Sequence, residues 1–136
     1  MSLSVTRRHA ALLLASAALV GGTATGAVAA GTGAQALTAY SCDVTMSSSG
    51  ILTAGYYSGN TVTPSTSQVT AAGKEAQCLL QYQGYNPGTV DGIFGSKSQS
   101  AARLFQSTVN GACKTDLDVD GKIGKESWPH LRRLYC

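Results

Sequence analysis

One six-residue pattern occurs twice in this chain. Val90-Asp91-Gly92-Ile93-Phe94-Gly95 and Val119-Asp120-Gly121-Lys122-Ile123-Gly124 both read V-D-G-x-ϕ-G, where ϕ is apolar, and they lie 29 residues apart. Each is followed three residues later by a serine, Ser98 and Ser127. The valine of such a loop anchors it in a core. The aspartate accepts hydrogen bonds from nearby backbone N–H groups, and the first glycine takes a left-handed conformation closed to most side chains. The apolar fifth residue re-enters the core before the second glycine releases the chain. Asp91, Gly92, Gly95, Asp120, Gly121 and Gly124 are therefore read as loop-holding residues.

Helical periodicity surrounds both loops. Apolar or small residues recur at Val69, Ala72, Ala76, Leu79 and Leu80, in steps of three and four that define one helical face. This predicts a first helix over about residues 66–82, with Ser65 and Gln68 as a capping box and Gly84 just past its end. Gly73 inside it costs about 1 kcal/mol relative to Ala, so tertiary contacts must support it. Ala101, Ala102, Leu104, Phe105 and Val109 predict a second helix, capped by Ser96 or Ser98 and closed by Gly111. Trp128, Leu131, Leu134 and Tyr135 predict a third, with Ser127 as N-cap and Pro129 in the first turn, where its missing N–H does little harm. The expected class is mainly α, three helices with long loops.

The N-terminal third reads differently. Arg7 and Arg8, an apolar run from Ala10 to Val20 and the small-residue end Ala27-Val28-Ala29-Ala30 make a secretory signal peptide over residues 1–29, cleaved after Ala29 or Ala30. Thr6-Arg7-Arg8-His9 is a weak match to a twin-arginine signal, because Ala10 stands where a bulky apolar residue is usual; general export is favoured. Residues 30–65 are a Gly/Ser/Thr-rich leader and extended arm, with β-prone pieces at Ile51-Leu52-Thr53 and Tyr56-Tyr57. Removing Arg7 and Arg8 from ten basic residues, against seven acids, leaves a mature charge near +1. No clustered basic face points to nucleic acid, and no membrane association is expected after signal cleavage.

The four cysteines, Cys42, Cys78, Cys113 and Cys136, all follow the signal. An even count in an exported chain argues for two disulfides. Zinc sites pair close ligands, whereas no two cysteines here are nearer than about twenty residues. Three connectivities are open. Cys42 precedes the domain and Cys136 ends it, so Cys42–Cys136 with Cys78–Cys113 is the favoured arrangement.

The ordered set Glu75-Ala76-Gln77-Cys78-Leu79-Leu80, Gly84-Tyr85-Asn86-Pro87-Gly88, the first V-D-G-x-ϕ-G, Ala101-Ala102 and Phe105-Gln106 resembles the peptidoglycan-binding domain 1 family. The second V-D-G-x-ϕ-G with Ser127-Trp128 is similar to its closing helix, where the family usually has Thr-Trp. The resemblance covers roughly residues 66–135, within a peptidoglycan-binding-like domain over residues 66–136. It implies a compact three-helix domain that binds bacterial cell-wall peptidoglycan, through glycan strand or stem peptide, non-covalently and as a monomer. The chain departs from the family in a longer segment around Cys113 and in Pro129 within the third helix.

Other chemistry is poorly supported. Asp116, Asp118 and Asp120 open like a calcium loop, but the closing bidentate Glu is replaced by Ser127; no metal or cofactor is expected. His130 is read as a surface residue. Glu75 and Glu126 are read as charges near helix starts, and no paired-carboxylate site emerges. Candidate ligand contacts are Tyr82, Tyr85, Asn86, Arg103 and Gln106, with Arg103 and Gln106 on the polar side of helix 2. The expectation is an exported, wall-associated, non-catalytic binding protein. The alternative is a secreted inhibitor or protein-interaction module reusing the same fold.

Overall fold

The computed structural model describes residues 38–136. Residues 1–29, read above as a signal peptide, and most of the Gly-rich leader lie outside the described residues. The element order is β1 (Thr45–Met46), β2 (Leu52–Thr53), α1 (Ala71–Tyr82), α2 (Ser96–Cys113) and α3 (Ser127–Leu131). The strands pair antiparallel, Thr45 opposite Thr53 and Met46 opposite Leu52.

Helix α1 starts five residues later than its periodicity predicts. Thr70 is the cap, its hydroxyl accepting the Gly73 N–H at 2.9 Å. Ser65 closes a turn instead, accepting from the N–H groups of Ser67 and Gln68. The segment is held by the first loop: Phe94 N–H donates to Ser65 O at 2.8 Å and Thr70 N–H to Gly92 O at 3.0 Å. A helix from residue 66 would compete with these bonds, so Val69 is left exposed. Gly84, at φ 88°, ends α1, and the Tyr85 N–H returns to Leu80 O at 2.9 Å.

Gly73 marks the closest approach of helix and loop. A methyl group there would lie 2.1 Å from Gly92 O. The residue is weak for helix formation, and the loop leaves no room for a better one.

Helix α2 runs past Gly111 and closes at Lys114, in the left-handed region at φ 55°. The longer segment that follows is latched by Asn110. Its amide donates to Leu117 O and its carbonyl accepts from Leu117 N–H and the Thr115 hydroxyl, all within 2.9 Å. Helix α3 has five residues, too short to include Leu134 and Tyr135, which are exposed rather than core. Glu126, not Ser127, is its N-cap.

The core gathers Leu52, Ala72, Ala76, Leu79, Leu80, Phe94, Ala101, Ala102, Phe105, Ile123, Trp128 and Leu131. Trp128 satisfies its indole N–H on Val62 O at 2.9 Å, tying α3 to the arm.

The expected disulfide pairing, Cys42–Cys136 with Cys78–Cys113, is corrected. The bonds are Cys42–Cys78 and Cys113–Cys136, with Cα separations of 5.3 and 5.4 Å. The arm enters along α1, where Tyr40 N–H bonds Val90 O, and this sets Cys42 beside the middle of that helix. The chain after the short α3 runs back to the end of α2, whose last residue is Cys113. Each bond closes a local loop, worth about 3–4 kcal/mol by chain-entropy reasoning.

Candidate functional site

Each V-D-G loop is organised by a glutamine one helix back. Gln77 Oε1 accepts the Gly92 N–H at 2.8 Å, and its Nε2 faces Asp91 Oδ1 at 3.1 Å, Ile93 O at 2.9 Å and Ser98 Oγ at 3.0 Å. Gln106 repeats the pattern. Its Oε1 accepts the Gly121 N–H at 2.9 Å, and its Nε2 faces Asp120 Oδ1 at 3.1 Å, Lys122 O at 2.9 Å and Ser127 Oγ at 3.2 Å. Asp91 and Asp120 also accept the N–H two residues on, from Ile93 and Lys122. Gly92 and Gly121 have φ of 81° and 77°.

The 29-residue offset therefore extends well beyond the hexapeptide. Gln77 and Gln106 obey it, as do Ser98 and Ser127. So do the side chains beside the loop glycines: a methyl group on Gly92 would meet the stem of Lys74 at 3.1 Å, and one on Gly121 the stem of Arg103 at 3.3 Å. The glutamines were legible as a repeat at the same spacing, but their helical context hides that they serve the loops.

Gln106 was expected at the ligand surface, and this is corrected. It is 1% exposed and its amide is taken up by the second loop. Glu75 was expected to serve the helix start, and this too is corrected. It is fully buried and paired with Arg132 at 2.9 Å. Its two oxygens accept four donors: the N–H groups of Ala54, Tyr56 and Tyr57, and Arg132 Nη1. Arg132 also donates to Leu52 O, Tyr57 O, Gly59 O and Asn60 Oδ1. The pair thereby pins residues 52–60 to α1 and α3.

Two clefts of about 250 Å³ stand at the heads of α2 and α3, lined at matching repeat positions. Thr89, Asp91, Ser96 and Lys97 line the first. Asp118, Asp120, Lys125 and Glu126 line the second, with Thr63 from the arm. Burial raises the Asp120 carboxyl, but the Lys122 N–H, the Gln106 amide and the Lys122 charge outweigh it and hold it below its ordinary value. A smaller cleft of about 120 Å³ lies between the end of α1, the end of α2 and the C-terminal tail, and is lined by Gln83, Tyr85, His130 and Tyr135.

The remaining expected contacts are at the surface but are not gathered in one of these clefts. Tyr82 is 52% exposed at the end of α1. Tyr85 lies edge-on to Phe105 at 5.8 Å and borders the tail cleft. Asn86 is exposed, and its side-chain oxygen accepts the Gly88 N–H at 3.0 Å. Arg103 is exposed, and both its stem and its guanidinium carbon lie over Gly121. Asp116 stands apart from the loop bonds, and among the described residues no group of three or more His, Cys, Asp or Glu side chains is placed to hold a metal ion.

Comparison with known proteins supplies the family. No curated protein matches the chain. A solved structure of a peptidoglycan-binding protein from Clostridioides difficile, in complex with glutamine hydroxamate, is similar, with 28% identity and a TM-score of 0.52 over 67% of this chain. The chain spans 56% of that protein's length. The model of a putative peptidoglycan binding domain matches residues 70–131, which run from the cap of α1 to the end of α3. Those residues form a domain of the peptidoglycan-binding domain 1 family.

Proposed function

We propose that this chain is an exported, non-catalytic protein that binds bacterial cell-wall peptidoglycan non-covalently, as a monomer. The family match over the whole helical unit carries the reading. The name of the similar clostridial protein agrees with it. Binding rather than hydrolysis also suits the buried carboxylate: both Glu75 oxygens are filled by donors, so none is left to accept a proton from water.

The contacts we assign to the wall are Tyr82, Tyr85, Asn86 and Arg103. Tyr82, exposed, and Tyr85, half-buried against Phe105, each offer an apolar ring for a sugar or peptide face and a hydroxyl for hydrogen bonds. The Arg103 guanidinium is suited to a stem-peptide carboxylate. The signal-peptide reading of residues 1–29 places the chain outside the membrane. Pelleting of the oxidised protein with purified sacculi tests the reading. The Tyr82→Ala/Tyr85→Ala double variant is expected to pellet at least fivefold less well, from the loss of two stacking contacts, with no soluble muropeptides released by either protein. Undiminished pelleting would refute the assigned contacts, and muropeptide release would refute the non-catalytic reading.

A further inference from the structure

A cleft of about 390 Å³ opens between the β1–β2 hairpin, the 58–60 loop and the end of α3. It is larger than the three clefts above and falls within the size range of small-molecule pockets. Ile51, Thr53, Ser58 and Asn60 line it from the arm, outside the family-matched residues; Pro129 and Arg133 line it from α3 and beyond.

Its chemistry is one-sided. Ile51 and Pro129 give it an apolar wall, and no acidic residue lines it. Its polar groups are donors. The Arg133 guanidinium is exposed and makes no hydrogen bond or ion pair among the described residues. Asn60 Oδ1 is held by Arg132 Nε at 2.9 Å, which fixes the amide and leaves its NH₂ group without a partner. Thr53 Oγ1 already accepts the Gly55 N–H at 3.1 Å and so has its proton to give. The arm wall is preorganised, because the buried Glu75–Arg132 pair braces residues 52–60 through backbone groups.

We propose that this cleft binds a small apolar carboxylate, with the carboxylate at Arg133 and Asn60 and the apolar body against Ile51 and Pro129. A free aliphatic acid and the C-terminus of a short apolar peptide share that chemistry. The inference is independent of wall binding, since the cleft is built largely by the arm.

Nuclear magnetic resonance titration of the oxidised full chain tests it, using hexanoate and N-acetyl-L-alanyl-L-leucine as probes. Methyl hexanoate and the dipeptide amide are the neutral controls. Saturable shifts are expected at residues 51–60 and 129–133 with at least one acid, whose identity distinguishes the two sources. The neutral control should bind at least fivefold more weakly. Arg133→Gln should weaken binding about tenfold, the scale of one charge-assisted hydrogen bond. Ser58→Leu, which fills the cleft from an exposed loop, should abolish the shifts and serves if Arg133→Gln misfolds. No shifts up to millimolar probe, equal binding of acid and neutral control, or unchanged binding in a folded variant would overturn the proposal. Loss of sacculus pelleting with these shifts intact would strike wall binding alone.

Discussion

In residues 70–98, Gln77 holds its loop while the face of α1 around Glu75 and Cys78 is covered by the arm. In residues 99–127, Gln106 holds its loop by the same bonds, but the position matching Glu75 is Leu104, which is 60% exposed. The position matching Gly73 is Ala102, fully buried and tolerating the methyl that α1 excludes. The two units thus share a centre and differ at their edges. The glutamine–loop hub is the part the two units hold in common. The edge records what packs on it: the arm around Glu75, solvent around the matching Leu104.

The arm contact should be the most costly to remove. Glu75→Leu makes the first unit resemble the second, yet leaves Arg132 buried without its partner. The expected loss is about 3–5 kcal/mol in urea unfolding. Glu75→Leu/Arg132→Met should recover most of it, because an apolar pair can replace a buried ion pair. A double variant as unstable as the single one would show that the arm depends on the charges themselves.

The hub should respond alike in both units. Gln77→Ala and Gln106→Ala each strand a buried loop N–H, at Gly92 and Gly121, and each should cost about 2–3 kcal/mol. A difference of more than about 1 kcal/mol between them would break the equivalence of the two loops. Gly73→Ala should destabilise by about 2 kcal/mol despite alanine's helix preference, since the methyl meets backbone at 2.1 Å. The reciprocal Ala102→Gly should cost about 1 kcal/mol, mostly helix propensity.

The smallest expected effect is on pH dependence. Folding holds the Asp120 carboxyl below its ordinary value. Its contribution is therefore present above the unfolded carboxylate pKa and is lost as pH falls through the folded one. Asp120→Asn should flatten the acid limb of the stability profile slightly, as suits a solvent-screened group. An acid limb unchanged by the substitution would remove Asp120 from the account.

Much of this fold was legible in local sequence. Periods of three and four marked α1 and α2, and the V-D-G glycines announced the two left-handed turns. What the sequence hid was non-local. The late start of α1 depends on Phe94 and Thr70 bonding across to Ser65 and Gly92, which no window around residue 66 contains. The cysteine pairing depends on where a patternless arm lies, so spacing left three choices. Gln106 looked like a surface polar residue because Arg103, Ser107 and Asn110 stand near it on the helix, and only the fold turns it onto the second loop. Arg132 looked like one of two basic residues near the C-terminus, while its five acceptors sit far back in the chain.

We propose that the 70–131 unit, with its arm stapled in place, holds peptidoglycan. A pelleting isotherm of the oxidised protein against increasing amounts of purified sacculi measures it directly. Saturable pelleting that survives moderate salt is expected. Protein that stays in the supernatant at every sacculus concentration would contradict it.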